Sequence, residues 1–317
     1  MKQIKINFMD FGKNFNPENT FFTQLLRQKY DVVIADKPDY IFYAQGGQTH
    51  HYFDGIRIFW TGENIIPDFN HCDYALGFHH IQFEDRYMRY PLWAAKKKLI
   101  AQIQQERSIT PELAKRPFCA TVISNSQQSD GVRTQFFELL NTYKPVASGG
   151  RWNNTVGGPV PDKIAFQEQY KFTMAFENTL APGYATEKIL DAFASNSVPI
   201  YYGDPTVVQD FNPKAFINLH DFESQEAALE YIKKVDADDT LYMQMLNEPV
   251  FLPGTLEKYD DNALLKFFSN IFDQPYEKAR RRFYRKPYQD IDVAHLKNRD
   301  FKAVVVGFIK SKFFKKK

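Results

Sequence analysis

Short runs of apolar, β-branched and aromatic residues recur along this chain with polar or helix-patterned stretches between them. The spacing constrains the fold strongly, because parallel strands need a long crossover where antiparallel ones need only a tight turn. Residues 4–8, 31–35, 40–43, 56–60 and 74–78 read as strands, with a helix predicted over 18–28 after the first. A second series comprises 118–124, 146–148, 172–176, 198–202 and 216–219. Its helices are predicted over 130–141, 184–195, 225–235 and 260–271. The charged stretch 94–116, ending Lys-Arg-Pro, separates the two series. The expected class is α/β, with two doubly wound, Rossmann-like domains over residues 1–115 and 116–275 and a basic tail over 276–317. Parallel sheets bind ligands outside the carboxyl ends of their strands, so the site should lie there, in a cleft between the domains.

Composition removes several function classes. At 44% hydrophobic and 25% charged residues the chain is an ordinary globular protein, and its 16% aromatic content reads mainly as core filling. The net charge of +2 is unevenly spread: residues 278–317 hold 14 Lys/Arg against Asp290, Asp292 and Asp300, so the preceding residues carry −9. An acidic body argues against a nucleic-acid partner, which needs a basic face. Cys72 and Cys119 stand in unrelated contexts, implying reduced, buried thiols and no zinc site. With no signal-like apolar stretch and no run long enough to span a bilayer, the sequence predicts a cytoplasmic protein. Neither a GxxxxGK[ST] loop nor a GxGxxG after a strand is present, which removes the usual support for P-loop hydrolysis or a simple dehydrogenase.

The segment 170–205, YKFTMAFENTLAPGYATEKILDAFASNSVPIYYGDP, carries most of the chemistry. It reads as strand, polar loop, helix, strand and turn. Glu177 and Asn178 stand at the strand's end, Lys188 and the first-turn amides can point at one anion, and Glu187 can accept from paired ribose hydroxyls. The plainer alternative is a capping Thr186 with a solvated Glu-Lys pair. Arg133 starts a helix after a Ser-Asn-Ser loop, where a planar guanidinium can bridge phosphate oxygens, or simply be solvated; Asn125 and Ser126 in that loop can add hydrogen bonds. Glu63 follows an apolar strand and precedes Asn64, as a general base facing a cleft would, with Asp73, Glu84 and Asp85 as rivals.

FENTLAPGYATEKILDAF followed by VPIYYGDP resembles the signature of the α1,3-fucosyltransferases. The likeness extends through WTGEN, DYALGF, RYMRYPLW and ISNSQQSDGVRTQFFELLN, covering about residues 55–220, and is strongest to short bacterial members. It implies a GT-B architecture, with acceptor in the first domain and GDP-fucose in the second, and inverting transfer of L-fucose to the 3-hydroxyl of N-acetylglucosamine in an N-acetyllactosamine-type glycan. By the same resemblance Lys188 and Arg133 hold the donor diphosphate, Glu187 the ribose, Asn178 and Tyr184 other donor positions, and Glu63 is the base. No metal is expected: His50-His51 and His79-His80 lack ligand spacing, Asp236-Ala237-Asp238 lies in a charged inter-helix stretch, and two cations can neutralise the diphosphate.

Other readings are a GT-B enzyme with a different nucleotide sugar, and a non-catalytic carbohydrate binder stacking sugars on Trp60, Trp93 and Trp152. The heptad repeats of some bacterial members are absent. In the tail, Phe301, Val304, Val305, Phe308 and Ile309 recur at helical spacing among lysines, which predicts peripheral contact with an anionic membrane or, alternatively, a helix packed on the body.

Overall fold

The computed structural model describes residues 1–12, 14–105, 107–124 and 131–282. The predicted tail helix, Asn125 and Ser126 lie outside the described residues.

Among the described residues, eleven strands form two all-parallel sheets. The first contains β1 (Gln3–Met9), β2 (Asp31–Ile34), β3 (Tyr40–Tyr43), β4 (Ile56–Trp60), β5 (Tyr74–Gly77) and β6 (Tyr87–Arg89), in the order β2-β1-β3-β4-β5-β6. The second contains β7 (Cys119–Thr121), β8 (Val146–Ser148), β9 (Phe172–Phe176), β10 (Val198–Tyr202) and β11 (Ile217–Asn218), in the order β11-β10-β9-β7-β8. Strands such as β3 and β9 are buried along their whole length, which is why they read as continuous apolar runs rather than alternating ones. The helices are α1 (Phe21–Leu26), α2 (Lys97–Gln104), α3 (Val132–Asn141), α4 (Lys163–Gln167), α5 (Lys188–Ala194), α6 (Gln225–Ala237), α7 (Asp239–Asn247), α8 (Asp261–Phe272) and α9 (Tyr276–Ala279).

Two departures from expectation bear on how the halves pack. The stretch 94–116 contains α2, whose Ile100 and Ile103 are buried, and Gln102 on it donates to the Ala194 carbonyl of α5 at 3.0 Å. Its lysines and glutamines hide a narrow apolar stripe. The helix 260–271, grouped by sequence order with the second sheet, instead packs as α8 on the first. Phe268 meets Phe22 and Phe42 edge-on at 5.9 and 5.7 Å, and Phe272 meets Tyr40 at 4.6 Å. Removing one such buried ring costs about 3–5 kcal/mol, so the chain's return to its first sheet is a strong tie. Beyond it, the Arg281 and Arg282 amides each donate to Asp73 at 2.7 Å.

Because each sheet is parallel, all of its carboxyl ends lie along one edge, and the two edges face each other. His80, after β5, donates from Nε2 to Thr206 Oγ1 after β10 at 2.9 Å. Phe78 packs edge-on against Tyr184 at 4.8 Å, and Gly183 approaches the Phe78 carbonyl so closely that a Cβ would lie 2.3 Å from its oxygen. Gly183 also has φ +87°, so both its backbone and its surroundings call for glycine. Arg89, at the end of β6, pairs with Asp210 of the second half at 2.8 Å.

Candidate active site

The wall of the second sheet is organised by a carboxylate that the sequence reading assigned no role. Glu177, the residue after β9, is wholly buried and accepts from the Thr186 amide at 2.7 Å, from the Thr186 hydroxyl, and from Lys188 Nζ at 3.0 Å. It fits there because the next turn carries Gly203 at φ +149°, where a Cβ would stand 2.5 Å from the Glu177 side chain. Thr186 therefore does not cap the helix; its donors go to Glu177. The helix itself starts at Lys188 rather than at residue 184. Burial works against the Lys188 charge, but the Glu177 and Glu187 carboxylates outweigh it and hold its pKa above the usual lysine value. Burial likewise pushes Glu187 up, and Lys188 and Lys163 pull it down further, leaving its pKa below the ordinary carboxylate range.

Arg133 is buried on α3, not solvated, and donates to the Phe176 carbonyl at 3.0 Å and to Asn178 Oδ1 at 2.5 Å. Arg133, Asn178, Glu187 and Lys188 line a single cavity of about 130 Å³ between β7, β9 and α5. Lys163 lines it too and lies 3.7 Å from Glu187, a second ammonium that sequence reading missed because it sits in a five-residue helix remote from the motif. Tyr184 does not line this cavity; it is 1% exposed behind it, its hydroxyl pKa raised by burial and by the nearby Glu177 and Glu63 carboxylates.

The opposite wall is the turn after β4. The buried Thr61 hydroxyl accepts the Glu63 amide at 2.9 Å and donates to Gln45 Oε1 at 2.6 Å, which fixes the turn while Glu63 stays exposed. Asn64 crosses the cleft, donating to Thr179 Oγ1 at 2.9 Å, and its own carbonyl oxygen is 3.0 Å from His79 Nε2. The rival bases lie elsewhere. Asp73 precedes β5, at the amino-terminal edge away from the cleft, and is fully buried under donors from Arg57, Arg281 and Arg282. Glu84 and Asp85, just before β6, pair with Arg281 at 3.5 and 2.8 Å.

Asp236 and Asp238 have structural partners. Asp236 takes Lys144 and Lys171 at 2.5 and 3.0 Å, and Asp238 caps α7 through the Thr240 and Leu241 amides. Cys72 and Cys119 are free and buried. Among the described residues no helix is long and apolar enough to cross a membrane.

Residues 6–96 match the FucT N-terminal domain of α-(1,3)-fucosyltransferases, and residues 112–247 match the C-terminal domain of glycosyltransferase family 10 (fucosyltransferase). The chain belongs to this fucosyltransferase family. It is 34% identical over 304 residues to α-(1,3)-fucosyltransferase FucT of Helicobacter pylori, a match covering 81% of this chain and 62% of that longer relative. A crystal structure of an α1,3-fucosyltransferase superposes with a TM-score of 0.76 at 32% identity, covering 86% of this chain and 91% of that one. An α1,3-fucosyltransferase structure with GDP-fucose gives a TM-score of 0.74 at 32% identity, covering 87% and 92% of the two chains. The fold is GT-B, as the resemblance implied.

Proposed function

We propose that this chain transfers L-fucose from GDP-fucose, with inversion, to the 3-hydroxyl of N-acetylglucosamine in an N-acetyllactosamine-type glycan, giving a Lewis-type product. The observation that carries the proposal is the pairing, across one cleft, of an exposed carboxylate on the first sheet's carboxyl edge with a cation-lined cavity on the second's. Inverting transfer is a single displacement: the acceptor oxygen bonds to the anomeric carbon as that carbon's bond to the diphosphate oxygen breaks. Glu63 takes the acceptor proton. Lys188 and Arg133 take up the negative charge that grows on the departing GDP, a role that favours cations already held in place over cations that must reorganise. Glu177 supplies that order for Lys188, and the Phe176 carbonyl and Asn178 supply it for Arg133. Glu187 binds the ribose, with Asn178 and Asn125 as further donor-site residues and Tyr184, packed against Phe78, backing them rather than touching the donor. With two cations on the diphosphate, the reaction requires no metal.

Residues 1–115 carry the acceptor wall and 116–275 the donor wall in this reading, except for α8, which packs on the first sheet. Of the basic tail, 276–317, residues 276–282 pack on the first domain, and in this reading the part beyond them makes peripheral contact with an anionic membrane on the cytoplasmic side; its support is the sequence's charge and apolar spacing alone, and loss of salt-sensitive vesicle binding on deleting residues 310–317 tests it.

The deciding experiment supplies GDP-, UDP- and CMP-sugars with a glycan panel and determines product linkage. Glu63→Gln should then lower turnover by roughly 10² to 10⁴ while GDP binding persists. Transfer from a UDP- or CMP-sugar instead of GDP-fucose, or wild-type turnover in folded Glu63→Gln, would overturn the assignment.

A further inference from the structure

The bond between Asn64 and Thr179 joins the two halves at the point where their chemistry must meet. On one side Asn64 follows Glu63 in the chain, and on the other Thr179 follows Asn178, whose Oδ1 is held by Arg133 at 2.5 Å. The Asn64 side chain is read at both ends. Its amide donates to Thr179 Oγ1 at 2.9 Å, so its carbonyl oxygen is left to accept, and His79 Nε2 stands 3.0 Å from it. An imidazole that meets a carbonyl oxygen must present N–H there, which places the His79 proton on Nε2. Burial, the neighbouring His80 and Arg89 lower the His79 pKa, consistent with a neutral ring serving as a fixed donor. The histidine is anchored in turn, because its own carbonyl accepts the Tyr87 hydroxyl at 2.8 Å.

We propose that Asn64 is a cross-cleft positioning residue, one that sets the distance between the base and the anomeric carbon by tying the Glu63 turn to the loop that holds the donor. The proposal rests on reading Glu63 as the base and the Lys188 cavity as the donor site. Its chemical content is alignment. The displacement needs the acceptor oxygen, the anomeric carbon and the departing diphosphate oxygen in line, with the base within hydrogen-bond reach of the acceptor hydroxyl, and the base and the anomeric carbon are carried by different domains. Arg89–Asp210 and His80–Thr206 also join the two domains, but Asn64–Thr179 is the tie whose two residues stand next in the chain to Glu63 and Asn178. An error of about 1 Å in such alignment can lower a rate by as much as about 10²-fold without altering the affinity of either substrate.

The test uses Asn64→Ala, Thr179→Val, the double variant and Thr179→Ser in the full chain. Asn64→Ala and Thr179→Val should each lower kcat for fucose transfer by about 10- to 100-fold, with GDP-fucose affinity by calorimetry unchanged. The double variant should be no slower than the slower single one, since both remove the same bond. Thr179→Ser, which keeps the hydroxyl, should recover most of the rate. A merely structural role would instead lower the melting temperature and leave kcat per GDP-binding site at the wild-type value. That result, or multiplying losses in the double variant, overturns the proposal. Glu63→Gln measured alongside separates the two levels: collapse there with wild-type kcat in Asn64→Ala refutes the bridge alone, whereas full activity in Glu63→Gln refutes the reading beneath it.

Discussion

Replacing Glu177 by Gln is nearly isosteric, and the amide oxygen can still accept the Thr186 amide held at 2.7 Å. What disappears is the negative charge 3.0 Å from Lys188 Nζ. Removing one partner of a buried ion pair costs roughly 3–5 kcal/mol, because the survivor is left uncompensated in a poor solvent for charge. The Lys188 side chain retains 27% exposure, while that of Glu177 has none. The two deletions should therefore be unequal. Glu177→Gln strands an ammonium that can reach water and should cost about 2 kcal/mol, whereas Lys188→Met strands a fully buried carboxylate and should cost about 3–4 kcal/mol. The double variant removes both charges, and its loss should fall short of the sum by about 2–3 kcal/mol. Equilibrium urea unfolding of the four proteins measures this coupling. Additivity to within about 0.5 kcal/mol would mean that the pair does not act as a unit, and the account of how Lys188 is held would fail. GDP calorimetry on the same proteins supplies the functional half. Lys188→Met should weaken binding by about 10- to 100-fold through loss of a charge-assisted contact, and Glu177→Gln by much less. Unchanged affinity in Lys188→Met would move the diphosphate elsewhere.

Arg133→Ala should weaken GDP-fucose binding by about tenfold or more, and Arg133→Lys should restore little of it because a point charge cannot reproduce the paired contacts of a guanidinium; wild-type affinity in the alanine variant refutes this. Gly183→Ala meets both φ +87° and a Cβ contact of 2.3 Å with the Phe78 oxygen, so it should destabilise the protein by more than about 1–2 kcal/mol, and an unchanged melting temperature would show that the two walls yield easily. Burial alone would raise the Asp10 carboxyl, but bonds from His50 and Thr49 bring its pKa from 3.8 down to about 2. A carboxyl depressed in the folded state stabilises above its unfolded pKa and loses that effect as pH falls through the folded one, so about 2 kcal/mol should disappear between about pH 4 and pH 2. Asp10→Asn should lack this contribution at pH 7, and a urea-midpoint gap to wild type that stays constant on acidification would refute the assignment.

The elements that sequence patterning located well are those whose burial is all-round. Residues 40–43, 56–60, 146–148, 172–176 and 198–202 coincide with β3, β4, β8, β9 and β10, because these strands are buried along nearly their whole length and stay mostly apolar even where Arg57, Ser148 or Thr173 interrupts them. β6 is three residues long at the sheet's edge, with only Tyr87 of its three residues buried, too little for any periodicity to register. α8 was recognisable as a helix but not by destination: its apolar stripe of Leu264, Phe268, Ile271 and Phe272 says that something covers it, and nothing in a local pattern says that the cover is the first sheet.

The site divides along the same line. Arg133, Asn178, Glu187 and Lys188 were legible as a set because a contiguous motif and a strand-end rule place them together, and the structure brings them to one cavity. Glu177 sits in that very motif yet carries no sign of its task, since a carboxylate beside Asn178 reads as readily for substrate as for a lysine eleven residues on. Only the fold separates the two: Gly203 leaves room for the Glu177 side chain, and Thr186 and Lys188 supply the donors that hold its carboxylate. The choice of Glu63 over its rivals has the same character. Asp73, Glu84 and Asp85 match it in residue type and neighbourhood, but they precede their strands where Glu63 follows one. In a parallel sheet that difference puts them at opposite edges, so it is the direction of the chain at each carboxylate, more than its identity, that brings one of the four to the cleft.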